Sequence, residues 1–309
     1  MLLAAACGIV SDARPVQAAQ VEVWLVLSAP GGVYAATARK LQETWELDGR
    51  QQLSWRIGTW GELPQEPGAL PQLVVTLGTG AYLEGVGRAQ SNPALQRLPV
   101  LAALLPQVAF PAPAARGSWR AAAVLLDQPA ERIVHLLQLA LPGHSRVGVL
   151  FGPDSVAVRP VLARALATGG LTLVAQTVQD GGPGIYAALR TLLDEADLLL
   201  ALPDKQVFQS SNMYNILQAA YRRRVPVASY SAAHVRAGAL LALHTEPVDV
   251  ARQLAEVLRL WLAGRGLPAS ALADAGSITI NDQVARSLGL SLPPSLALER
   301  AIRQKEAAS

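Results

Sequence analysis

The sequence predicts an α/β protein of two lobes, each a parallel sheet between helices, with a ligand cleft between them. Three observations carry this. From Val21 onward, short apolar β-rich runs alternate with longer helical patterns, which implies parallel sheets covered on both faces. The series starts afresh beyond a proline- and alanine-rich stretch, PQVAFPAPAARG (Pro106–Gly117). Glycines and small polar residues follow many of the apolar runs, and open α/β sheets bind ligands beyond the carboxyl ends of their strands. Two lobes set face to face bring those ends to one cleft, an arrangement suited to hinge closure.

In order, VEVWLVLS (Val21–Ser28) reads as a strand and VYAATARKLQETWEL (Val33–Leu47) as a helix. LSWRIG and LVVTLG are the second and third strands, and AYLEGVGRAQ is the helix after them. LPVLAALL (Leu98–Leu105) fits strand or helix, because so short an apolar run has no usable period. SWRAAAVLLD (Ser118–Asp127) follows the proline-rich stretch and opens the second lobe. There AERIVHLLQLAL is a helix closed by Pro142 and Gly143, and RVGVLFG (Arg146–Gly152) a strand buried on both faces. SVAVRPVLARALATGG is a helix stopped by Gly169 and Gly170. LTLVAQTV, DLLLALPD and VPVASYS are strands, the last opened by Pro226. IYAALRTLLDEA and QSSNMYNILQAAYRRR are the helices between them.

Composition narrows the function. Of 309 residues, 51% are hydrophobic and 16% charged, so a large core forms and global disorder is excluded. The net charge of +3 is small, and Arg222–Arg224 is the densest basic run. A nucleic-acid reader concentrates its charge in a patch, so no nucleic-acid partner is expected. A single cysteine, Cys7, excludes intrachain disulfides and multi-cysteine metal sites. His135, His144, His234 and His244 are scattered, none at metal-ligand spacing. The first twenty residues, MLLAAACGIVSDARPVQAAQ, combine a short apolar start with a small-residue cleavage site at Val16–Ala18. They read as an export signal lacking its positive start, with Cys7 as a lipid-anchor candidate, or else as a frayed terminus.

LVVTLGTGAYLEGVGR (Leu73–Arg88) has the order of a phosphate-binding turn. A dinucleotide fingerprint fails at Leu83, which stands where the third glycine is needed, and a P-loop fails at Val86 in place of the lysine. What remains is a strand delivering a turn to a helix N-terminus. No Ser/His/Asp or Cys/His set suggests catalysis, and no cofactor is expected.

Several segments, in order, carry a family resemblance: LPGHSRVGVLFGPDS (Leu141–Ser155), the block Asp197–Leu243, PVDVARQLAEVLRLWLAG (Pro247–Gly264), and ITINDQVARSLGLSLPPSL (Ile278–Leu296). From about Leu125 to Leu296 the chain resembles the substrate-binding proteins of ABC importers, the family of the tryptophan- and tyrosine-type binders, as a divergent subgroup. The resemblance implies two Rossmann-like lobes of the periplasmic-binding-protein type I kind, closing on a small molecule in the periplasm. It implies a monomer that hands its ligand to an ABC permease, or reports it to a membrane receptor. It implies no enzymatic reaction. The expected division is residues 1–20 as signal, 21–117 with about 244–264 as lobe 1, and 118–243 with about 265–309 as lobe 2.

The ligand-contact candidates follow strands. Ser28, Gly78, Thr79 and Gly80 offer hydroxyls and backbone N–H groups, or form an ordinary tight turn. Asp154 and Ser155 match the family's cleft loop, with helix capping as the alternative. Asp204 suits a ligand amino group or caps the helix from about Gln206. Ser229, Tyr230 and Ser231 fall in a loop where relatives contact ligand, Tyr230 offering a ring to cover it. His244 and Thr245 lie where the chain crosses between lobes. Tyr34 and Tyr82 are further aromatic candidates. No arginine stands in a cleft loop to grip a carboxylate, which favours a neutral or aromatic ligand over an amino acid.

Overall fold

A computed structural model describes residues 20–47, 53–64, 70–110, 119, 121–179 and 183–308. The export-signal reading and Cys7 lie outside the described residues. The first half runs β1 (Val21–Leu27), α1 (Gly32–Leu47), β2 (Leu53–Gly58), β3 (Leu73–Leu77), α2 (Thr79–Ser91), α3 (Pro93–Gln96), β4 (Val100–Leu105) and β5 (Ala121–Leu125). These strands form a five-stranded sheet in the order β2-β1-β3-β4-β5, every pair parallel. The ambiguous run Leu98–Leu105 resolves as β4, which lies between two strands and is buried along its whole length.

The second half runs α4 (Ala130–Ala140), β6 (Arg146–Phe151), α5 (Arg159–Thr168), β7 (Thr172–Thr177), α6 (Pro183–Glu195), β8 (Leu198–Leu200), α7 (Ser210–Arg222), β9 (Val227–Ser229), α8 (Ala232–Ala237), β10 (Leu241–His244), α9 (Pro247–Leu260), β11 (Ser277–Ile280), α10 (Asp282–Leu288) and α11 (Ser295–Ala307). Its sheet has the order β11-β10-β9-β8-β6-β7. All pairs are parallel except β10 with β11. The edge strand β11 therefore departs from the all-parallel expectation. The helix expected from Ser155 starts at Arg159, after a 3-10 turn at Val156–Val158.

Sheet membership moves the lobe boundaries. β5 closes the edge of the first sheet, so the first crossing follows Leu125 rather than Gly117. α9 returns to the first lobe, burying Val250, Ala251, Leu254, Ala255 and Leu258 against α1, where Ala38 and Leu41 lie, and against β4 and β5. Its apolar positions recur every three to four residues, which sets them on one stripe. Beyond α9 the chain runs beside β5: Ala271 N donates to Ala123 O at 2.9 Å and Leu125 N to Ala271 O at 2.8 Å. Lobe 1 thus reaches to about residue 273, beyond the expected 264. The lobes are joined at residues 126–129, 245–246 and 274–276.

Against the other face of the first sheet, α2 is packed by two tryptophans. Trp60 Nε1 donates to Ala81 O and Trp119 Nε1 to Leu95 O, both at 2.8 Å. Their rings, 5.9 Å apart, fill the space over Gly85, where any Cβ would overlap Trp119.

Candidate ligand-binding site

In the first lobe Ser28 and the Gly78–Gly80 turn meet at the adjacent carboxyl ends of β1 and β3. Ser28 Oγ accepts from Ala81 N at 2.8 Å, filling one N–H of the first turn of α2. Gly78 holds φ +99°, and a Cβ there would overlap Ser28 Oγ and the Tyr34 ring. Glycine is thus required both for its backbone angle and for the close approach. Thr79 and Gly80 open α2 itself and remain partly or fully exposed. Tyr82 turns inward, 4% exposed, its ring 5.1 Å from Phe110. Burial pushes its phenol pKa up.

In the second lobe Asp154, Ser155 and Asp204 meet where β6 and β8 end. Asp204 is 4% exposed and both its oxygens are filled. Oδ1 accepts from Gln206 N and Val207 N, each at 3.0 Å. Oδ2 accepts from Asp154 N at 3.1 Å, Ser155 N at 3.0 Å and Ser155 Oγ at 2.9 Å. Asp154 answers by accepting from Lys205 N at 3.2 Å, and Ser155 Oγ accepts from Gly152 N at 2.9 Å. The carboxylate stitches two strand-end loops together and holds the turn at 205–207, whereas the helix expected from about Gln206 starts only at Ser210.

Ser229, at the end of β9, is 4% exposed and its hydroxyl lies 2.6 Å from His234 Nδ1. Tyr230 packs edge-on to that imidazole, with centroids 4.9 Å apart. Burial, reinforced by the negative charge of Asp204, pushes the Tyr230 phenol up to about 12, so its hydroxyl stays protonated at neutral pH. Burial pushes His234 below its ordinary value. Ser231 caps α8 by accepting from Ala233 N. His244 Nε2 lies 2.8 Å from Thr279 Oγ1 and Nδ1 lies 3.4 Å from Glu246. Desolvation lowers its pKa against the pull of the Glu246 and Glu299 carboxylates. Thr245 Oγ1 accepts from Gln128 Nε2 at 2.7 Å, which places Thr245 in the hinge.

The strand ends also present groups that the sequence did not single out. Asp127, just past β5, accepts from Gln107 N at 2.6 Å, and burial pushes its carboxyl above the usual range. Val33, Val108 and Val156 stand 45%, 39% and 42% exposed beyond β1, β4 and β6. Isolated valines carry no motif, and only the topology sets each of them beyond the carboxyl end of a strand. Among the described residues the loops directly after the strands hold no arginine; Lys205 is the cation within them, and Arg159 opens α5 with its guanidinium 5.8 Å from the Phe151 ring at the end of β6. No group of three or more His, Cys, Asp or Glu side chains fit to hold a metal occurs among the described residues. No described helix is long and apolar enough to cross a membrane.

Solved structures share this architecture. The ABC domain from Streptococcus pneumonia in complex with L-Trp is 17% identical with a TM-score of 0.60, covering 91% of this chain and 98% of that one. The ligand-free, open form of a substrate-binding protein with adhesive properties from Clostridium difficile is 16% identical with a TM-score of 0.65, covering 88% and 96%. A periplasmic ribose ABC transporter protein from Conexibacter woesei is 12% identical with a TM-score of 0.55, covering 91% and 97%. At these identities the likeness is one of fold: two lobes of the type I periplasmic-binding-protein kind. No curated protein sequence matches the chain. The family described as ABC transporter substrate binding protein matches residues 124–303, more than half of the sequence. The chain belongs to the ABC transporter substrate-binding protein family, whose members bind solutes rather than transform them.

Proposed function

We propose that this protein is the exported solute-binding component of an ABC importer, capturing a neutral or ring-bearing small molecule by closure of its lobes. The observation that carries the ligand class is the make-up of the strand-end loops. Where an amino-acid binder profits from a guanidinium fork on the ligand carboxylate, these described loops offer hydroxyls, backbone N–H groups and one tyrosine ring, with Lys205 as their cation and exposed valines at three strand ends. Such a lining suits a solute with an apolar face and a few hydroxyl or carbonyl groups.

In this reading Ser28, Gly78, Thr79 and Gly80 supply contacts from the first lobe, and Tyr230 covers the ligand from the second. Asp154, Ser155 and Asp204 hold the second-lobe loops in shape, with Ser229 and Ser231 fixing the loop that carries Tyr230. His244 and Thr245 serve the crossing. Each lobe holds half the contacts, so only the closed form completes the site.

A thermal-shift panel of aromatic metabolites, sugars, purines, vitamins and amino acids tests the ligand class. A ligand at a hundred times its dissociation constant stabilises the fold by about 2.7 kcal/mol. A rise in melting temperature with neutral ring compounds is expected. A rise confined to α-amino acids, or none from any compound in a folded sample, would count against the reading. Uptake of the labelled hit by cells with and without the protein tests the importer role.

A further inference from the structure

The junction of the lobes holds a polar network centred on two side chains that the ligand site does not use. Gln128, in the first crossing, donates from Nε2 to Thr245 Oγ1 in the second crossing at 2.7 Å and to Ala275 O in the third at 3.1 Å. One amide therefore joins all three connections between the lobes. Its Oε1 accepts from Arg132 Nη1 at 2.9 Å. Gly276 makes the approach possible, since a Cβ there would lie 2.7 Å from Gln128 Oε1 and 2.8 Å from Leu243.

Arg132, on the first turn of α4, is 7% exposed. A guanidinium has five N–H donors, and here every one meets an acceptor. Nε meets Glu306 Oε1 at 2.5 Å. Nη1 meets Gln128 and Ala273 O, and Nη2 meets Asp274 O and Glu306 Oε2. The same Asp274 is gripped from the other lobe, where Arg252 of α9 donates to both its carboxylate oxygens at 3.0 Å. Gln253 fixes its neighbours by donating to Leu272 O and accepting from Asp274 N. The third crossing is thus held at one residue by both lobes, and the last turn of α11 reaches it through Glu306.

We infer that the C-terminal helix is a brace for the hinge: Glu306 fixes Arg132, Arg132 fixes the Gln128 amide, and Gln128 sets the angle between the lobes. Gln128 and Arg132 are positioning residues for ligand capture, which they control by limiting the range of lobe orientations. A buried guanidinium stripped of its carboxylate keeps two unfilled donors and seeks new acceptors, releasing the amide that ties the crossings. This inference rests on the proposed closure of the lobes, but its test needs no ligand.

Spin labels at Gln90→Cys on α2 and Gln218→Cys on α7, with Cys7→Ser, report the distance between the lobes in the full chain. With the network intact one narrow distance distribution is expected. Glu306→Ala and Gln128→Glu should each shift the balance of lobe orientations about fivefold, the worth of one net hydrogen bond, while Thr245→Ser keeps the original distribution. Circular dichroism confirms that each variant is folded. If Gln128→Glu fails to fold, Glu306→Ala at the half-exposed end of the network decides. An unchanged distribution in the folded variants would overturn the brace. A wrong assignment of ligand would leave these distances untouched.

Discussion

Gly152 and Asp204 approach so closely that a Cβ on residue 152 would lie 2.5 Å from the Asp204 carboxylate. The carboxylate has nowhere to retreat, because Gln206, Val207, Asp154 and Ser155 already surround its oxygens. Gly152→Ala is therefore expected to cost about 1–3 kcal/mol through overpacking. Asp204→Ala should cost about 3 kcal/mol by orphaning buried donors. In the double variant the clash is gone, so the two losses should sum to less than their parts. Denaturant unfolding of the four proteins measures this, and strict additivity would show that the two residues do not press on each other.

Two glycines on α2 should respond in opposite senses to the same change. Gly85 lies under the Trp60 and Trp119 rings, both pinned by indole hydrogen bonds. Gly85→Ala should therefore destabilise by about 1–3 kcal/mol. Gly87 has nothing within 4 Å of its Cβ position, and Gly87→Ala should stabilise by about 0.5–1 kcal/mol by relieving backbone entropy in a helix. Melting temperatures that move in the same direction would contradict the packing described here.

Acidification should weaken the fold through two histidines. Burial lowers the pKa of both His234 and His244, so the unfolded chain takes up these protons first. Their contribution is complete above the unfolded value of about 6.5 and is lost as pH falls through the depressed folded values. Unfolding midpoints measured across this window should fall with pH. Replacing His234 and His244 with glutamine should flatten the slope, and an unchanged slope would place the titration elsewhere.

Tyr230 should titrate above the ordinary phenol value. Burial and the Asp204 charge push its phenol up to about 12. The folded value is raised, so stability is whole below about pH 10, the unfolded value, and declines as pH climbs toward 12. Tyrosinate absorbance of Tyr230→Phe should lack the latest phase. For a ligand that the ring covers, Tyr230→Ala should weaken binding more than Tyr230→Phe, as isothermal titration would register.

The alternation of strands and helices was legible because buried parallel strands and amphipathic helices have different periods. Leu98–Leu105 was not, since a short apolar run fits both, and only its place between β3 and β5 decides. The boundary of the lobes was misplaced at the proline-rich stretch because sequence punctuation marks loops, not sheet membership. The hinge was hidden for a related reason. Gln128 is a glutamine without a motif, and arginines in helical patterns read as solvated, while Arg132 is buried by residues distant in sequence. Asp204 was legible as a polar strand-end residue, but its donors in the Asp154–Ser155 loop, some fifty positions away, were not.

The return of α9 to the first lobe has a consequence for how the chain is made. Leu41, Leu25 and Val75 lie in one core with Leu254 and Leu258, residues synthesised after five of the six strands of the second sheet. That lobe in turn waits for Leu298 and Ile302 on α11 to complete its own core. Neither half can finish folding behind the ribosome while the other is still being translated, so the usual N-terminus-first order of domain folding is denied to this topology. The first core stays incomplete until α9 emerges and the second until α11 does, and an unfinished fold is the condition in which a polypeptide can be threaded through a narrow channel.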